Sequence, residues 1–133
     1  MRALLVIAHG SRREASNEEV RELTKQLTKR AGQRFGFVAC GFLELAAPSI
    51  KDAIDCCVAN GASEILVLPY FLAAGRHVVK DIPQQVNDAL ADYPHVSCNT
   101  VPYLGAAPAV VDLLLAIVAD DGAATPLPTG PAA

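Results

Sequence analysis

Apolar positions along this chain alternate between two kinds of run. The first is short and unbroken: Ala3-Leu4-Leu5-Val6-Ile7-Ala8, ending at His9-Gly10-Ser11. A strand with no polar interruption is the pattern of a parallel sheet covered on both faces. The second kind is periodic. Residues 14–31 are mostly polar, with Val20, Leu23, Leu27 and Ala31 marking one helical stripe before Gly32. A second strand reads Phe37-Val38-Ala39-Cys40-Gly41-Phe42.

The pattern then repeats. A helix is predicted to start near Pro48, a residue suited to a first helical turn. Ile50, Ala53, Ile54, Cys57 and Val58 form its apolar face, and Asn60-Gly61 ends it. Ile65-Leu66-Val67-Leu68 is the third strand, closed by Pro69. A loop over 70–77 leads to a helix in which Asp81 and Gln84 are expected to form a capping box, with Pro83 in the first turn. Val86, Ala89 and Leu90 continue its face. A weaker strand covers Val96 to Val101, and a last helix spans 108–120 with Val111, Leu114, Leu115 and Val118 on one face. This is a (βα)4 unit, an α/β fold with a four-stranded parallel sheet flanked by helices. Crossovers of this length give parallel strands and right-handed connections. Residues 1–121 are expected to form one domain. Residues 122–133, rich in Pro, Ala and Gly, are expected to be a flexible tail. The sheet leaves two edges, one of which a partner subunit can cover.

Composition narrows the picture. The 133 residues fit one domain, and 52% hydrophobic content is ample for its core. Mean hydropathy is high at +0.30, yet no apolar run approaches the ~20 residues that span a bilayer. The six-residue opening run is too short for a secretory signal, so neither membrane nor export is expected. A net charge of −3 gives no basic face for nucleic acid. Cys40, Cys56, Cys57 and Cys98 form no CxxC pair and read as small buried hydrophobes, which points to a reducing cytoplasm.

Chemistry-bearing residues fall after successive strands. His9 follows the first, Glu44 the second, and His77 lies in the loop after the third. Parallel topology brings all three to the carboxyl edge of the sheet, where open α/β sheets bind ligands. Two imidazoles and a carboxylate suit a divalent metal with open coordination positions, and they also suit proton transfer near neutral pH. Arg12, Arg13, Arg76 and Lys80 cluster at that edge and would receive a ligand with acidic arms. Phe71, Leu72 and the small Ala73-Ala74-Gly75 fit a flat apolar body between them. His95, beside Pro94 at the opposite edge, reads as a surface residue. Neither GxGxxG nor GxxxxGK[ST] occurs, so no nucleotide is expected. Ala8 stands where histidine phosphatases carry an arginine, and a G-x-S-x-G elbow is absent.

Three segments carry a family resemblance: Leu5-Val6-Ile7-Ala8-His9-Gly10-Ser11-Arg12, Phe42-Leu43-Glu44-Leu45-Ala46-Ala47-Pro48-Ser49-Ile50, and Val67-Leu68-Pro69-Tyr70-Phe71-Leu72-Ala73-Ala74-Gly75-Arg76-His77-Val78 continuing to Asp81-Ile82-Pro83. In these, over roughly residues 3–118, the chain resembles the small single-domain sirohydrochlorin cobaltochelatases of the class II chelatase superfamily. The resemblance implies ATP-independent insertion of a divalent metal, Co2+ foremost with Fe2+ or Ni2+ as alternatives, into sirohydrochlorin in cobalamin or sirohaem-type tetrapyrrole biosynthesis. It implies that His9 and His77 are metal and catalytic histidines and that Glu44 assists them. It also implies a homodimer, because longer relatives carry two such units facing across a cleft. Arg12, Arg13, Phe71, Arg76 and Lys80 are the expected substrate-binding residues. The competing expectation is a non-catalytic carrier of metal or tetrapyrrole, which the same histidines would serve.

Overall fold

The computed structural model describes residues 1–128, apart from the side chain of His77. Four parallel strands, β1 (Arg2–Ala8), β2 (Phe37–Phe42), β3 (Glu64–Pro69) and β4 (Ser97–Thr100), form one sheet in the order β2-β1-β3-β4. The helices α1 (Glu14–Ala31), α2 (Ile50–Ala59), α3 (Ile82–Leu90) and α4 (Ala109–Ala119) follow them in turn. The (βα)4 reading therefore stands.

β1 is central and buried from Ala3 to Ala8, which explains its unbroken apolar run. Alternate side chains enter opposite faces. Ala3, Leu5 and Ile7 join Ile65 and Val67 beneath α2 and α3, against Ile50, Ile54, Ile82 and Val86. Val6, Ala8, Cys40 and Phe42 turn the other way and meet Val20 of α1. Apolar burial on both faces is the main stabilising force.

The structure departs from the sequence expectations locally. Pro48 precedes α2 instead of opening it: Ser49 is the N-cap, accepting a 3.1 Å bond from the Asp52 N–H, and Pro48 offers its carbonyl to the Phe42 N–H at 2.9 Å. The capping box at Asp81 is absent, because Asp81 is already helical and makes no side-chain cap bond. A π-helical turn over His77–Asp81 runs directly into α3, so helical backbone begins before the expected start. Pro83 does sit in the first turn of α3. Cys40 and Cys57 are buried, but Cys56 is exposed and Cys98 half-buried. Cys56 lies on the outer side of α2, so it is not the buried hydrophobe expected.

The apolar stripe of α4 is left uncovered: Val111, Leu114, Leu115 and Val118 are 57–66% exposed, and no α4 residue is buried. Beyond α4, residues 122–128 of the expected tail are exposed, after a 3-10 turn over Asp121–Ala123. The rest of that tail, 129–133, lies outside the described residues. Among the described residues no helix is long and apolar enough to cross a membrane.

Candidate active site

The ends of β1 and β2 build the site. Their pairing continues past the strands: the Leu43 N–H donates to the Ala8 carbonyl at 3.0 Å, and the Glu44 N–H donates to the His9 carbonyl at 3.1 Å. This backbone ladder sets His9 beside Glu44 even though 35 residues separate them. Their side chains meet, with His9 Nε2 3.0 Å from Glu44 Oε1. Both reach water: the side chains are 40% and 55% exposed. The carboxylate can fix the tautomer and orientation of the imidazole.

The turn after His9 is narrow. Gly10 adopts φ +93°, and its missing Cβ leaves room for the Glu44 carbonyl. Leu45, next to Glu44, also takes a positive φ of 66°. Ser11 Oγ accepts the Arg13 N–H at 3.0 Å and steers the chain into α1.

His77 leaves the same sheet edge by way of the segment after β3. Its backbone opens the π-helical turn instead of lying in a loop, with the Val78 and Val79 N–H groups both 3.2 Å from the Gly75 carbonyl. The helix that follows returns to the site, where Gln85 Nε2 donates to the Leu43 carbonyl at 3.4 Å, one residue before Glu44. Among the described residues no group of three metal-ligating side chains forms. Among the described side chains, His9 and Glu44 are brought together.

The expected substrate-binding residues separate by environment. Arg12, Arg13, Arg76 and Lys80 are exposed, as a docking role for acidic arms needs. Phe71 is half-buried and packs against the main core, which commits part of its ring to the fold. Gly105, in the turn before α4, lies against this segment: a Cβ there would stand 1.8 Å from the Leu72 carbonyl oxygen. His95 is exposed, as expected.

Sequence reasoning missed two residues that touch the loops of this site. Asn17 is buried, 1% exposed, and Arg21 reaches the loop after Glu44. A polar Asn one turn from Val20, on the buried stripe of α1, was the available signal.

The CbiX family model matches residues 3–121. A chloroplastic sirohydrochlorin ferrochelatase of Arabidopsis thaliana is 38% identical over 102 residues, covering 77% of this chain and 44% of that protein. A sirohydrochlorin cobaltochelatase of Methanococcus aeolicus is 36% identical over 84 residues, covering 63% of this chain and 57% of that one. Among solved structures, the sirohydrochlorin chelatase SirB from Bacillus subtilis subspecies spizizenii, in complex with cobalt, superposes with a TM-score of 0.80 at 28% identity. That match covers 90% of this chain and 50% of SirB. The chain spans about half the length of the curated relatives it matches.

Proposed function

The chain belongs to the CbiX family, and from that premise we propose that it inserts a divalent metal into sirohydrochlorin without a nucleotide, in cobalamin or sirohaem-type tetrapyrrole biosynthesis. The observation that carries this reading is the His9–Glu44 pair at the carboxyl edge of a parallel sheet. Metalation needs two things from a protein. Hydrated M2+ must exchange water for a ligand that later releases it, and two pyrrolic N–H protons must leave. A neutral imidazole is a ligand of that kind, and a carboxylate beside it accepts a proton.

In this reading His9 receives the metal, which is a substrate, and Glu44 orients the His9 ring and passes a proton outward. His77 is the second imidazole, as the family motif implies, and in this proposal it is the one that accepts a pyrrolic proton. Arg12, Arg13, Arg76 and Lys80 engage substrate carboxylates, and Phe71 offers the exposed part of its ring to the macrocycle. Cobalt is the favoured metal, supported by the cobalt complex of SirB and the cobaltochelatase relative; the Arabidopsis relative makes iron the alternative. Four unpaired cysteines support a reducing compartment such as the cytoplasm.

The working unit in this proposal is a homodimer. The chain matches half of SirB, and α4 exposes its large apolar residues all round. Part of the sheet is thinly covered. Leu66 of β3 and its neighbour Asn99 of β4, on the face that α1 covers elsewhere, are half-buried and exposed. A second copy would cover both and rebuild a two-unit cleft.

The test is direct. Purified protein is incubated with sirohydrochlorin and Co2+, Fe2+ or Ni2+, and the absorbance change on metalation is followed. Rates well above the spontaneous background are expected, fastest with Co2+. Tight binding of metal or tetrapyrrole at the background rate identifies a carrier instead.

A further inference from the structure

One hydrogen-bonded chain on α1 joins the loop after His9 to the loop after Glu44. Asn17 Oδ1 accepts the Ser11 N–H at 2.9 Å, and Asn17 Nδ2 donates to the Ser11 carbonyl at 2.8 Å. The same Nδ2 lies 3.3 Å from Glu14 Oε2. Glu14 Oε1 accepts from Arg21 Nη1, which also bonds Glu18. Arg21 Nη2 donates to the Ala47 carbonyl at 2.8 Å, and the guanidinium lies over the Phe42 ring, 5.4 Å from its centre. Ser11 is two residues after His9. Phe42 and Ala47 bracket Glu44.

We propose that Asn17 and Arg21, linked through Glu14, are positioning residues that hold His9 and Glu44 at their working separation. Glu14, Asn17 and Arg21 stand at i, i+3 and i+7, on one stripe of a rigid 18-residue helix. Each end of the stripe grips an irregular segment that carries a site residue. The Asn17 amide has one orientation that satisfies Ser11, since the Ser11 N–H needs the oxygen and the Ser11 carbonyl needs the nitrogen. A buried amide is costly unless its groups are bonded, and no buried side-chain polar atom among the described residues lacks a partner. Asn17 directs its bonds back to the loop and does not cap α1, whose first turn carries no side-chain cap bond. Arg21 fixes both flanks of Glu44 with a planar fork, which a lysine cannot reproduce.

This inference takes the working separation to be that of the proposed metalation. The experiment therefore has two arms. In the first, the His9 ring is followed by NMR through its carbon-bound proton signals in wild type, Asn17→Ala and Arg21→Gln. Both variants are expected to shift or broaden that signal while circular dichroism stays native; an unchanged His9 signal overturns the proposal. In the second, kcat for cobalt insertion into sirohydrochlorin is measured for Arg21→Gln with Glu44 present and with Glu44→Ala. A loss on the order of tenfold is expected with Glu44 present, with KM within about twofold, shrinking to less than about twofold without it. Equal losses in both backgrounds reveal a general structural role and overturn the proposal. If Asn17→Ala does not fold, Arg21→Gln, whose side chain borders solvent, carries both arms. A wild type that never metalates removes the proposed function, and the NMR arm still decides the positioning claim.

Discussion

A Cβ built on Gly10 would stand 1.8 Å from the carbonyl oxygen of Glu44 and 3.4 Å from the Phe42 Cβ. The two site loops therefore touch backbone to backbone, and only glycine leaves that space open. The φ of +93° adds a second reason, since side-chain-bearing residues are strained there. Gly10→Ala is expected to push the Glu44 backbone away from His9 without opening the core, because the change lies beyond the buried span of β1. Cobalt insertion should fall at least about tenfold, while the far-UV dichroism stays native. Wild-type turnover in Gly10→Ala would show that the close approach has no functional weight.

Removing the paired groups tests the chemistry itself. His9 is partly exposed at a strand end, so His9→Ala should fold normally and metalate at the spontaneous rate. His77→Ala is expected to do the same. Glu44→Gln keeps the size of the side chain but loses the proton acceptor, and removing such a supporting carboxylate typically costs 10–100-fold. Steady-state metalation by absorbance checks all three. Near-normal turnover in both histidine variants would sink the assignment.

The apolar helix α4 gives a prediction about assembly. Leu114 and Val111 are 57% and 60% exposed on a helix of almost wholly apolar residues. In a dimer they would be buried, at about 1.5–3 kcal/mol each for full burial. A single Leu114→Glu places a charge in that contact. Light scattering should report twice the chain mass of 13.9 kDa for wild type and a monomer for Leu114→Glu. The variant should also lose cobalt insertion, because a cleft built from two copies no longer forms. A monomeric wild type with full activity would refute this.

Much of this architecture was legible because strand and helix periods differ so plainly. Val67 and Ile7 had to be strand core, and the order of strands alone carries His9 and Glu44 to one edge. What stayed hidden depends on contacts that no local pattern records. Asn17 looks like another polar helix residue until the Ser11 backbone is placed against it. Asp81 has the sequence of an N-cap, but the turn opened by His77 makes it helical already. The stripe on α4 is legible as a helix, but its exposure is not, since periodicity records an apolar surface and not what covers it.

The Glu14–Arg21 contact makes stability depend on acid in a defined direction. The Arg21 guanidinium, and then the Asn17 amide, hold the Glu14 carboxyl below its ordinary 4.5. A carboxylate with a lowered folded pKa stabilises the fold above its unfolded pKa, and that contribution is lost as pH falls through the lower folded value. The melting temperature of wild type should therefore exceed that of Glu14→Gln by a constant margin from pH 7 to about pH 5, and the margin should close below pH 4.5. Asp55, lowered first by Lys51 and then by Tyr93, titrates in both proteins and cancels in the difference. Glu14 is largely exposed, so the margin should also shrink in 1 M salt, where the screening length falls to about 3 Å. A margin that widens on acidification would mean that folding raises the Glu14 pKa instead of lowering it, and the bridge from Asn17 to Arg21 would then lack its central link.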